Sequence, residues 1–132
     1  MKMLADTSAL LALHARADQH HAQAVSFLRT HPEARFVLTD LVLTELVTRL
    51  RARADAARAA AAGRSYLASQ RYEILFTDAS LITSGLARMA QYADKQLSLT
   101  DCVSFELMDR FGLTTAFSFD RDFRDCGYQM LP

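Results

Sequence analysis

Two short apolar runs in this chain stop at a carboxylate. Met3 to Ala5 leads directly into Asp6, and the run "TTAFSF" at 114–119 leads directly into Asp120. Such runs are too short for a fully buried helix, and the β-branched and aromatic residues of the second suit a strand. Around them lie longer stretches with helical signatures. Chains that alternate strands and helices build a mostly parallel sheet with helices on both faces. In such sheets ligands bind outside the carboxyl ends of the strands. An acid at that end, twice, therefore constrains both the fold and the place to look for a site.

The other segments fit the same alternation. Residues 2–5 are a predicted strand and 7–15 a helix. "DQHHAQAVSFLRTH", 18–31, reads as a second helix, and Phe36 to Leu38 as a short strand. Residues 39–52 form a helix whose Leu43, Leu46, Val47 and Leu50 recur at i, i+3, i+4, i+7, so that it packs on the sheet. The Ala-rich stretch around 54–70 is another helix, since alanine is the best helix former. "YEILF", 72–76, is a strand, and Asp78 caps a helix running to about Tyr92. Ser98 opens the next helix, which ends near Phe111 at Gly112. Residues 128–131 make a small edge strand. Phe105, Met108 and Phe111 recur at helical spacing and are expected in the core.

Length and composition bound the function. At 132 residues the expectation is one domain. The 15 basic and 15 acidic residues balance, so net charge does not by itself call for nucleic acid. No apolar run approaches the roughly 20 residues of a membrane span. The early Asp6 is wrong for a signal peptide. Cys102 and Cys126 form no C-x-x-C and are too few for a disulfide framework, which points to reduced core thiols in a cytoplasmic protein. The adjacent His20 and His21 cannot share a helix face, and with His14 and His31 they suit surface positions better than a zinc site.

Four acids interrupt the most apolar stretches. Asp6 and Asp120 follow strands. Glu45 lies in "TDLVLTELVTRL" and Asp101 in "LSLTDCVSFELM". Each has an ordinary explanation: Asp6 as an N-cap, Glu45 as an exposed helical side chain, Asp101 as the acid of a capping box with Ser98, Asp120 as a turn residue. Taken together they are read as lacking basic partners on their own helix faces. Several buried carboxylates cost many kcal/mol unless a cation neutralises them. Only oxygen donors are on offer, which suits Mg²⁺ or Mn²⁺.

The order of these motifs is distinctive. Asp-Thr-Ser follows the first strand, a glutamate sits in an apolar third helix, "SLTDCVSF" opens a late helix and "FDRDF" follows a late strand. Over nearly its whole length the chain resembles the PIN domain, and more narrowly the toxin ribonucleases of VapBC-type toxin–antitoxin pairs. The resemblance implies a three-layer α/β/α fold with a short, mostly parallel central sheet spanning 1–132. It implies catalytic acids at Asp6, Glu45, Asp101 and Asp120, with Asp6, Asp101 and Asp120 as the principal metal ligands. Ser8, Ser118 and Asp122 fall at supporting positions. The implied activity is Mg²⁺-dependent (or Mn²⁺-dependent) hydrolysis of RNA phosphodiesters. The implied partners are RNA, a small VapB-like antitoxin and a second copy of the chain.

RNA must also be held, and the segment from Arg49 to Arg71 carries six arginines against one acid, Asp55. Arg49, Arg51 and Arg53 are the candidate phosphate contacts; a solvated helix surface is the plain alternative. Three other readings of the whole chain remain: a PIN nuclease of RNA processing outside a toxin pair, a module that binds RNA or protein without cutting, and another Mg²⁺ phosphotransfer enzyme. The last lacks the Asp-x-Asp or strand-following lysine such enzymes need.

Overall fold

The computed structural model describes residues 1–132. Its centre is a five-stranded sheet in the order β3-β2-β1-β4-β5, with every pairing parallel. The strands are β1 (Lys2–Ala5), β2 (Arg35–Thr39), β3 (Tyr72–Leu75), β4 (Thr115–Phe117) and β5 (Gln129–Leu131). The helices are α1 (Thr7–His14), α2 (His21–Thr30), α3 (Asp40–Arg53), α4 (Ala56–Ala68), α5 (Ala79–Gln91), α6 (Leu99–Phe111) and α7 (Arg121–Asp125). The three-layer α/β/α architecture expected from the sequence is the one found.

The two-residue alternation of strand side chains builds the layers. Met3 and Ala5 of β1, Phe36 and Leu38 of β2, and Phe117 of β4 join one hydrophobic cluster with α1 to α4. Leu4, Val37 and Ala116 point the other way, into a second cluster with α5, α6 and α7. β1 lies in the middle of the sheet, so both its faces are buried and it contains no polar residue after Lys2 until Asp6. Gly85 of α5 lets α6 come close: a Cβ there would stand 2.6 Å from Val103 Cγ2. Gly112 ends α6 in the left-handed region, at φ 65°, as helix-stopping glycines do.

The differences from the sequence reading are local. The segment 18–31 becomes helical only from His21, because the Asp18 carboxylate accepts the His20 N–H at 2.8 Å and holds a turn. The helix of 54–70 starts at Ala56, where Asp55 caps it. The strand at 114–119 stops at Phe117, and the short α7 leaves no mark in the sequence; five residues are too few to show a period. Phe111, the last residue of α6, is 62% exposed rather than in the core, whereas Phe105 and Met108 are fully buried. Cys102 is buried and Cys126 half-buried, both as free thiols. Among the helices of the structure, none is long and apolar enough to cross a membrane.

Candidate metal centre

The carboxyl ends of β1 and β4 lie side by side, with Ala5 paired to Phe117. This register brings Asp6 next to Ser118, although 112 residues separate them in the chain. Asp6 ends β1 and caps α1. Its Oδ2 accepts the Ser8 hydroxyl at 2.6 Å, the Ser118 hydroxyl at 3.0 Å and the Ser8 N–H at 3.3 Å. The two serines in turn organise the neighbouring loop. Ser8 Oγ accepts the Phe119 N–H at 3.0 Å, and Ser118 Oγ accepts the Asp120 N–H at 3.0 Å. Asp120 caps α7 by accepting the Asp122 N–H. Capping and site-building therefore use the same side chains. Ser8 and Ser118 thus both touch the Asp6 carboxylate.

Asp101 comes from the opposite layer. Ser98 caps α6 by accepting the Asp101 N–H at 3.1 Å, and the Asp101 carboxylate lies over the same crevice. Carboxylate oxygens of Asp101, Asp120 and Asp122 lie within 4.8 Å of one another. Asp6, Glu45, Asp101, Asp120 and Asp122 line one cavity of about 210 Å³ with Thr7, Ser8, Arg49, Gln96 and Ser98, and no hydrophobic residue takes part. The structure thus gathers all four sequence-predicted acids. Asp122 joins the tightest trio, while Asp6 stays engaged with its two serines.

The electrostatics reflect the crowding. Burial pushes the Asp101 carboxyl up to about 7, and the charges of Asp6 and Asp120 push the same way. Burial also raises Asp6, against hydrogen bonds from Ser8 and Ser118 that pull it down. Asp122 is raised by burial and by Asp120, with Lys95 opposing. Carboxyls held above their usual range are under-compensated by the protein.

One expectation needs correction. Glu45 does have a basic partner on its helix: Arg49, one turn on, meets it at 3.0 Å. The i, i+4 spacing puts the two side chains within reach of each other on an α-helix. Arg49 is thus part of the cavity wall, the one arginine that is. Arg71, grouped with the RNA-facing arginines by composition, instead ties the residue before β3 to the end of α2 and the α2–β2 loop. Its guanidinium donates to the carbonyls of Ala34, His31 and Leu28. Gln96 and Thr7 join the lining without a signal of their own in the sequence, beyond the place of Gln96 two residues before the α6 cap. The histidines go elsewhere: His14 bonds Tyr66, His21 bonds the Ala12 carbonyl, and His20 stacks on Phe119 at 4.2 Å.

Comparison with known proteins now bears on this geometry. No curated protein matches the chain. Among solved structures, VapC20 of Mycobacterium tuberculosis, described as a sarcin-ricin loop cleaving toxin, is similar with a TM-score of 0.88. The two are 26% identical over 96% of this chain and 95% of that one. VapBC2 from Rickettsia felis, solved bound to a promoter DNA fragment, has a TM-score of 0.68 at 14% identity, covering 100% of this chain and 98% of that one, and shows the shared fold. The PIN domain model matches residues 3–127, from the strand that delivers Asp6 to the loop beyond Asp122, and the chain belongs to the PIN-domain family.

Proposed function

We propose that this chain is one PIN domain acting as a metal-dependent endoribonuclease, the VapC-type toxin of a VapBC-type pair in the cytoplasm. The observation that carries the reading is the cluster of Asp101, Asp120 and Asp122, with carboxylate oxygens within 4.8 Å of one another and no salt bridge to any of the three. The donor set fits a hard divalent ion, Mg²⁺ or Mn²⁺, because it is all oxygen. The raised Asp101 carboxyl fits as well, as does the buried Thr7 hydroxyl at the cavity, which has no hydrogen-bond partner. Asp6, Asp101 and Asp120 would hold the ion, with Asp122 within reach as a further ligand.

When bound, such an ion supplies positive charge against a phosphate and acidifies water. The protein's own contribution is positional. Ser8 and Ser118 fix the Asp6 carboxylate, and through Phe119 and Asp120 they fix the loop that carries the fourth acid. Glu45, half-buried in the cavity wall, would orient the attacking water, and Arg49 would meet the phosphate. The neighbour at 26% identity that is named for cleaving the sarcin-ricin loop supports RNA as the substrate class. The VapBC name of the second neighbour supports a small antitoxin as partner, and the family resemblance adds a second copy of the chain. The test is cleavage of total cellular RNA with Mg²⁺, with mapped ends, for the wild type and Asp101→Asn. Cleavage is expected only in the wild type and only with the ion. Equal cleavage by the variant, or in excess chelator, overturns the proposal.

A further inference from the structure

The acid cavity is not the largest depression on the molecule. One of about 450 Å³ lies between the end of α1 and the α3–α4 junction, lined by His14, Arg16, Asp18, Leu50, Arg53 and Arg58 among others. A neighbouring depression of about 380 Å³ shares His14, Leu50 and Arg58 with it. Neither Arg16 nor Arg53 forms a salt bridge. Asp18, the acid in the lining, already accepts the His20 N–H. Arg58 leans on Asp55 at 3.5 Å, in an exposed pair that contributes little and opens readily. The balance of the depression is therefore positive.

α3 connects the two places. Glu45 and Arg49 line the acid cavity, and Arg53 lines the basic depression. These residues stand at i, i+4 and i+8, so they form a stripe along one helix face. At about 1.5 Å rise per residue the stripe is roughly 12 Å long. Arg51, two residues from both arginines, sits roughly 200° round the helix from Arg49 and lies off it.

We infer that Arg49, Arg53, Arg16 and Arg58 form a phosphate track. It leads a single RNA strand from the acid cavity along α3 into the basic depression. The inference rests on the nuclease reading for its direction, because that reading puts the scissile phosphate at the acids. Arginine suits the task, as its planar fork pairs with phosphate oxygens, and contacts to phosphate do not read the base. The track would hold substrate on one side of the cut whatever the sequence.

The test uses the full chain with Asp101→Asn to prevent cutting, and a fluorescein-labelled poly(U) oligoribonucleotide as probe. Affinity is measured across salt for Arg53→Ala and Arg58→Ala, with Arg35→Ala as a control of equal charge at the amino end of β2. Removing one arginine from a phosphate should reduce the slope of log affinity against log salt by about 0.7. Reductions of that size in Arg53→Ala and Arg58→Ala, with none in Arg35→Ala, support the track. Equal slopes in all variants overturn it, as does an equal reduction in Arg35→Ala. An Arg53→Ala protein that keeps its RNA slope but no longer holds an antitoxin overturns it too, and makes the depression a protein-binding surface. A second arm separates this inference from the nuclease reading. In the cutting protein, Arg53→Ala should raise KM and leave kcat. Cutting with unchanged KM sinks the track alone. Probe binding with the expected slopes, in a chain that cuts no RNA under any divalent ion, sinks the nuclease reading and leaves the track.

Discussion

α6 contributes to two groups of acids that have met opposite fates. Near its start, Asp101 faces Asp120 and Asp122, and no lysine or arginine forms a salt bridge with any of them. One to two turns later, Glu106 and Asp109 both reach the guanidinium of Arg88 on α5, Glu106 at 3.0 Å. Tyr128 completes that second group, accepting from Arg88 at 2.9 Å and donating to Asp109 at 2.7 Å. The fold is thus able to place an arginine against clustered carboxylates when only stability is at stake. Around Asp101 it does not, and the carboxyl pKa values rise instead. The second cluster is neutralised from within by Arg88 and braces α5 against α6, whereas the first has no such partner, as the proposed metal site requires.

The largest effect should come from breaking the first group. Asp101→Asn is expected to lower RNA cleavage by at least ~10²-fold, since a metal-held transition state is worth several kcal/mol. The same change should make the ion-free protein more heat-stable at pH 7.5, because it removes a crowded charge. A loss of both activity and stability would contradict the comparison. Breaking the second group should do the reverse. Arg88→Met strands Glu106 and Asp109, and the expected cost is roughly 2–3 kcal/mol, below the usual cost for a buried pair because Asp109 is half-exposed. Thermal unfolding reads that loss, and cleavage per folded molecule should stay near wild type.

The pH dependence sharpens the contrast. Burial, with the charges of Asp6 and Asp120, pushes the Asp101 carboxyl up to about 7 in the folded chain, against about 3.9 when unfolded. Between those values the folded state binds more protons than the unfolded state, so stability is full below pH ~3.9 and falls as pH rises through 7. Without divalent ion, the melting temperature should be higher at pH 5 than at pH 7.5. Mg²⁺ should raise it more at pH 7.5, because binding to the folded state alone adds stability and needs ionised acids. A melting temperature that climbs from pH 5 to 7.5 in chelator would show the acids to be compensated after all. Smaller still is Ser118→Ala, which removes a buried hydroxyl shared by Asp6 and the Asp120 N–H. About 1–2 kcal/mol of stability should go with it, and kcat should fall about 10-fold. The smallest effect belongs to Arg51→Ala, off the α3 stripe, whose RNA salt slope should differ little from wild type.

Much of this is legible in the sequence. The strands announce themselves because a buried strand needs a run of apolar residues, and the helices because alanine, capping acids and apolar periodicity mark them. Asp6 and Asp120 are legible because a carboxylate ending an apolar strand is conspicuous. Glu45 and Asp101 are legible because they interrupt apolar helical faces. Other features are not. Arg49 reads as an RNA contact, and only the folded chain shows it paired with Glu45 in the wall of the acid cavity. Arg71 looks like one more basic residue, yet three backbone carbonyls claim it. Composition counts charges without saying which are already used.

By itself, then, the sequence determined the alternation of strand and helix, the caps, and the set of acids at strand ends and helix starts. These depend on neighbours along the chain, through hydrogen bonds and periodicity that act over a few residues. Tertiary structure alone decided which acids share oxygen-to-oxygen distances of a few ångströms. It alone made Asp122 the third member of the tightest group, and left Asp101 without a basic partner while Glu106 and Asp109 share one. Those outcomes follow from the register of β1 against β4 and the packing of α5 on α6. They join residues far apart in the chain, and electrostatics responds to distance in space.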